Sequence, residues 1–212
     1  MFLDTRPQQA PALRLPGLAP QARTGPVSFR LPIRPARGAL YWRGQARDEL
    51  TIRLLVAPRS RVAVDLWWNR RGGLADVQLV FGIYGDAVEF GLLSGNGFDA
   101  PHLHRAGFGT LAVNIGVQAL QSVCDPSTGV HGVLSNTAED SLPTARREPL
   151  EAARRAFWRR FGLDVAAHGS PPLDYLRGTV GALRVVPNGM IAGQFPRDLD
   201  LQEFVATPPA GL

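Results

Sequence analysis

Lysine is missing altogether: all 23 basic side chains of this 212-residue chain are arginine. Without a Gly-Lys-Ser/Thr triplet a nucleotide P-loop is excluded, since that loop needs its lysine on the phosphates. The usage is read as the imprint of a GC-rich, bacterial genome rather than as chemistry. Cysteine is nearly missing too. Cys124 stands alone, so no disulfide can form within the chain, as expected in a reducing compartment. No apolar run reaches the roughly 20 residues of a membrane span. The opening MFLDTRPQQAP lacks the apolar core of a signal peptide. A cytoplasmic location with no membrane partner is therefore expected. No Gly-x-Ser-x-Gly elbow occurs, and Ser135, Cys124 and the histidines assemble no other nucleophile motif.

What is present is enough chain for one domain with extensions. Residues 1–36 carry Pro7, Pro11, Pro16, Pro20, Pro26, Pro32 and Pro35, a density that opposes both helix and ladder pairing, so an extended arm is expected there. Residues 37–205 read as the folded domain and 206–212 as a loose tail. From Ala39 the chain reads as successive strands: Ala39–Arg43, Leu50–Val56, Arg61–Trp68, then Val77–Tyr84 and Val88–Leu93 joined at Gly85-Asp86. Residues 46–57 also satisfy a helical pattern. Val130–Leu134 is expected to run parallel to the strand before the long apolar helix, because a helix crossover separates them. Glu148–Phe161 reads as a helix with Leu150, Ala153, Phe157 and Phe161 on one face and Gly162 as its stop. Val180–Val186 and Met190–Phe195 read as a last hairpin. The class is α+β, with a mixed, mostly antiparallel central sheet and flanking helices.

The stretch that organises the rest is Asp99–Leu120, DAPHLHRAGFGTLAVNIGVQAL. Leu111, Val113, Ile115, Val117 and Leu120 predict a buried helix, and Gly107-Phe108-Gly109 sits where it must begin. Such a start points unpaired N–H groups and the positive end of the helix dipole into the loop. Glycine lets an anion reach the backbone, so the stretch reads as a phosphate cradle; a turn needing glycine for geometry alone is the alternative. The pattern Pro101-x-Leu103-His104-x-x-Gly107-x-Gly109 resembles the coenzyme-A diphosphate loop of the GNAT superfamily of N-acyltransferases, with His104 where that family carries Gln or Arg. A second segment, Phe157-Trp158-Arg159-Arg160-Phe161-Gly162, resembles the end of that family's fourth helix. Together they cover Val77 to about Phe195.

The resemblance implies a GNAT-like fold and an acyl-CoA, acetyl-CoA above all, as co-substrate. It also implies an amine acceptor (a small molecule, a peptide or an aminoacyl-RNA), and a homodimer is compatible with it. Leu93, His104, Arg105, Ala106, Gly107, Phe108, Gly109 and Thr110 would hold the coenzyme, with its arm in a gap beside a bulged strand at Ser94–Gly97. Two departures stand out. Trp158 occupies the place of a tyrosine that protonates the leaving thiolate, and indole N–H is no general acid. The two helices that wall the acceptor site are not evident between Gly38 and Arg61.

Acyl transfer to an amine needs a base, an acid and support for the oxyanion. Glu89, expected to be partly desolvated between Val88 and Phe90 and so a stronger base, is the first choice, with Asp99 and Asp65 behind it. Ser94 and Tyr175 are the candidate acids, and backbone N–H groups near Leu93–Gly95 the candidate oxyanion donors. His102-x-His104 falls short of a closed metal site, so no metal is expected. His131 and His168 read as structural. The net charge of +5 permits an anionic partner without choosing one. Arg146, Arg147, Arg154, Arg155, Arg159 and Arg160 read as a solvated helix face or as an RNA-docking face. Two alternatives therefore accompany the enzyme: a catalytically degenerate binding or assembly module of the same fold, and a basic RNA-binding protein.

Overall fold

The computed structural model describes residues 39–69, 74–95, 105–134, 143–168, 173–187 and 189–206. The arm at 1–36 and the tail beyond Ala206 lie outside them. The described chain is α+β: one eight-stranded sheet, mostly antiparallel, with two helices. Strands β1 (Ala39–Gln45), β2 (Glu49–Ala57), β3 (Arg61–Trp68), β4 (Val77–Tyr84) and β5 (Ala87–Ser94) form a meander. Helix α1 (Phe108–Val123) then crosses over to β6 (Gly129–Leu134), which pairs parallel to β5 as expected. Helix α2 (Thr144–Arg160) leads to β7 (Asp164–His168) and β8 (Leu173–Thr179), giving the order β1-β2-β3-β4-β5-β6-β8-β7. Among the described residues no helix is long and apolar enough to cross a membrane.

Residues 46–57 resolve as strand because burial follows a period of two: Leu50, Ile52, Leu54 and Val56 are all buried on one face. With Val62, Val64 and Leu66 of β3 and Val77, Leu79, Phe81 and Ile83 of β4 they make the surface against which α1 packs. Leu111, Ile115 and Leu120 of α1 are fully buried. The opposite face of the meander is polar at its centre. Asp65, 3% exposed, accepts from Arg53 Nη2 at 2.6 Å and from Gln78 Nε2 at 2.9 Å. That satisfied pair accounts for Asp65 as structure.

The hairpin expected from Val180–Val186 and Met190–Phe195 does not form. Val180–Ala182 is a single 3-10 turn, and among the described residues the only pairing there is the two-residue ladder of β9 (Met190–Ile191) and β10 (Phe195–Pro196). The pair that closes the sheet is β7–β8, which the apolar count passed over because Asp164, Asp174 and Arg177 interrupt it. Instead of a ladder, a polar stripe on α1 holds the last segment. Asn114 Nδ2 donates to the carbonyls of Val186 (3.1 Å) and Arg197 (2.6 Å), and Asn114 Oδ1 accepts from Val186 N (2.8 Å). One and two turns on, Gln118 donates to Leu199 O at 2.9 Å and Gln121 to Leu183 O at 2.7 Å.

Helix α2 also departs from expectation. It starts at Thr144, with Pro149 inside, and Trp158 is its one buried residue among those described; Ala153 is exposed. The helix is anchored by charge. Arg155 Nε lies 2.8 and 2.9 Å from the two carboxylate oxygens of Asp174, which is 1% exposed, and Arg159 donates to Val165 O. Gly162 ends it at φ 87°, where a Cβ would stand 2.2 Å from the Ala182 carbonyl oxygen.

Candidate ligand-binding cavity

The cavity begins with one extra residue. Val80 pairs with Leu92 and Phe81 with Phe90, so Gly91 is a bulge on β5. The bulge lies upstream of Ser94–Gly97, where the glycines of the sequence had placed it; Asn96 and Gly97 are outside the described residues. Beyond it the sheet divides. β5 and β6 pair only as far as Phe90↔Gly132, yet β5 stays on β4 through Ser94, and β6 stays on β8 through Leu134. The facing edges of Leu92–Ser94 and Val133–Leu134 have no ladder partner among the described residues, and a wedge opens between them.

Helix α1 starts at the mouth of that wedge. Its N-cap, Gly107, has φ 107°, contributes no side-chain cap, and no acidic residue occupies the first turn. The first intrahelical bond is Leu111 N to Gly107 O, so helix geometry leaves the amides of Phe108, Gly109 and Thr110 without intrahelical acceptors. Arg105, at φ 60°, turns the loop immediately before. Gly107 is favoured by its left-handed φ, and a Cβ there would lie 2.3 Å from the Arg197 guanidinium, which would have to move aside.

These elements enclose a cavity of about 960 Å³, lined by Val77, Phe90–Gly95, Arg105–Thr110, Val133, Leu134, Arg197 and one face of α2 from Ala153 to Arg160. That is the upper end of the range for small-molecule sites. Four arginines line it, Arg105, Arg154, Arg160 and Arg197, and no carboxylate does so among the described residues. Around a helix N-terminus with no side-chain cap, this lining makes the cavity electropositive, which suits an anion. Its floor is apolar: Trp158, 2% exposed, packs edge-on to Phe90 at 4.5 Å between ring centroids, with Phe157 beside it.

The sequence-derived binding residues Leu93, Arg105, Ala106, Gly107, Phe108, Gly109 and Thr110 all line this one cavity, as does Ser94. His104, like Asp99 and His102, lies outside the described residues. The remaining candidates do not converge. Glu89 is exposed, on the opposite side of β5 from the buried Val88 and Phe90, so the desolvation expected of it does not occur. The alternation of the strand forces this: neighbours in sequence occupy opposite faces. Tyr175 sits half-buried on β8 opposite Val133 and does not line the cavity. Burial pushes the Cys124 thiol up to about 11, away from the thiolate a nucleophile needs.

Sequence reasoning missed Arg197 altogether and put Arg154 and Arg160 on an outer face. Arg197 is brought to the loop by the C-terminal segment: its Nη2 donates to Ala106 O at 3.4 Å, and Ala192 N donates to the same carbonyl at 3.2 Å. No local pattern announces a contact spanning 91 residues. Comparison with protein-family models, with curated proteins and with solved structures found no match.

Proposed function

We propose that the protein is an acyl-CoA-dependent N-acyltransferase with a GNAT-like arrangement of β4, β5, α1, β6, α2, β7 and β8. The observation that carries this reading is the coincidence of the β5–β6 wedge with the uncapped, arginine-ringed start of α1 in a single cavity. A diphosphate meets the amides of Phe108–Thr110 and the arginines, and an apolar arm extends along Leu92, Leu93, Val133 and Leu134. The thioester then lies beside β5. The amine nitrogen attacks the thioester carbonyl, the C–N bond forms and the C–S bond breaks. The thiolate leaves with coenzyme A, and the ammonium proton passes to water or to a base. Backbone N–H groups freed by the wedge near Leu93–Gly95 are suited to the oxyanion. Ser94 is the described hydroxyl nearest that end of the strand that lines the cavity.

A specific observation favours a second reading, a binding module of the same architecture without catalysis. Trp158 is committed to packing against Phe90, and the described cavity wall holds no carboxylate, histidine or tyrosine. RNA binding gains less support: Arg147 and Arg155 are paired with Glu151, Arg155 also with Asp174, and Arg159 with Val165 O, while Arg154 and Arg160 face the cavity.

Calorimetric titration with acetyl-CoA, followed by thiol release against a panel of amines, separates these outcomes. Binding with turnover supports the enzyme, binding without turnover supports the module, and no binding refutes both.

A further inference from the structure

We infer that Arg197 is a diphosphate ligand, swung over the cradle by the C-terminal segment, and that it makes recognition depend on the phosphorylated half of the ligand rather than on its thioester arm. This rests on the reading of the cavity as an acyl-CoA site.

Arg197 lies across the loop, its guanidinium so close to Gly107 that any side chain at that position would collide with it. Nη2 is spent on the Ala106 carbonyl, whereas Nε is shut off from solvent and has no hydrogen-bond partner. A guanidinium N–H buried at the start of a helix, without an acceptor among the described residues, is costly unless an anion completes it. Phosphate is the acceptor its planar fork fits best.

The placement is also fixed from behind. The Arg197 amide donates to Gly189 O at 3.2 Å, the Arg197 carbonyl accepts from the fully buried Asn114 at 2.6 Å, and Ala192 N ties the β9–β10 turn to Ala106. The side chain therefore belongs to the same rigid unit as the α1 N-terminus, although it comes from the far end of the domain. Apolar residues alone line the wedge where the arm would lie, apart from Ser94 and the glycines, so the charge contacts concentrate at the diphosphate end.

The experiment titrates the full chain, wild type, Arg197→Ala and Arg197→Lys, with acetyl-CoA, with inorganic pyrophosphate and with S-acetylpantetheine, each variant first checked for a wild-type thermal melt. Loss of a charge-assisted contact predicts about 10- to 100-fold weaker acetyl-CoA and pyrophosphate binding for Arg197→Ala. Arg197→Lys should fall between, and S-acetylpantetheine should be unchanged. Wild-type affinity for acetyl-CoA in Arg197→Ala overturns the inference. Binding of pyrophosphate that Arg197→Ala weakens, with acetyl-CoA binding no tighter than pyrophosphate, keeps Arg197 and removes the acyl-CoA reading. Absence of binding to either phosphate compound in the wild type removes both.

Discussion

Asn114→Ala tests how the C-terminal segment is held. The side chain is 0% exposed, yet it sits in the most apolar helix of the chain, so its cost is repaid only through its bonds. It makes three, one with Val186 N, one with Val186 O and one with Arg197 O. Truncation strands one buried donor and two buried acceptors. Each such group costs about 1–3 kcal/mol. Some relaxation of the 183–199 segment admits water, so the expected loss is about 3 kcal/mol rather than the full sum. In urea denaturation this lowers the midpoint with an unchanged m-value, and the melting temperature falls by about 6–12 °C for a chain of this size. Gln118→Ala, which gives up its 2.9 Å bond to Leu199 O, should lose about 1 kcal/mol. Asn114→Asp keeps the acceptor for Val186 N but faces two carbonyl oxygens with a carboxylate. Its folded carboxyl is therefore held protonated to higher pH than in the unfolded chain, and the variant's stability rises as pH falls toward the carboxyl range. A loss below about 1 kcal/mol for Asn114→Ala, or equal losses for Asn114 and Gln118, would refute the reasoning.

Gly109→Val adds a side chain where a Cβ meets only the Phe157 ring at 4.0 Å, so the melt should move by no more than a few degrees while acetyl-CoA binding disappears; retained affinity in calorimetry would place the ligand elsewhere. Asp174→Ala removes the buried carboxylate that Arg155 contacts through both oxygens while Arg155, 32% exposed, keeps Glu151, and chemical denaturation should show a loss of about 2 kcal/mol. A loss under about 1 kcal/mol would mean that the Arg155–Asp174 contact does not anchor α2. Cys124 should react with a disulfide reagent at pH 8 far more slowly than a free thiol, because burial holds its thiol near 11 against an ordinary 9.0. The same shift means that the unfolded thiol ionises first. Stability contributed by the buried thiol is complete below about pH 9 and is lost as pH rises toward 11. Labelling as fast as in urea would refute this.

The meander and β6 were legible as apolar runs bounded by turns, α1 as an apolar run that is buried nearly all round, and the crossover through α1 set β6 parallel to β5. Residues 46–57, which the sequence left open between strand and helix, are strand over Glu49–Ala57, with Leu50, Ile52, Leu54 and Val56 buried at a period of two. Beyond Gly162 the chain was not legible. There α1 supplies side-chain amides in place of a ladder, so Val180, Leu183 and Val186 are buried without belonging to a strand, and an apolar count cannot distinguish the two. The loop half of the cavity could be read because glycine spacing and helix start are local. Its arginine wall could not, since Arg197 reaches Gly107 only through the fold. Glu89 failed for the opposite reason: the flanking apolar residues that suggested burial are the reason the strand turns it outward.

The two functional readings share every residue that would hold the coenzyme and part company at the chemistry. Aminolysis of a thioester is favourable once an unprotonated amine is held in line, so positioning and an oxyanion donor can supply much of the acceleration without a side-chain base. On the enzyme reading the wedge would serve both needs without a titratable group, with β5 main-chain donors beyond the Gly91 bulge facing the thioester and Leu93 and Leu134 lining the slot. Four arginines and no carboxylate on the described wall also disfavour a cationic amine near the cradle, since like charges repel strongly where solvent is excluded. If the protein turns over, its acceptor therefore reaches the thioester as a neutral amine, approaching from the helix-free face where Leu92 and Val133 stand exposed. Trp158 is then no defect. It forms part of the floor that keeps the slot dry, and the leaving thiolate takes its proton from water at the open end.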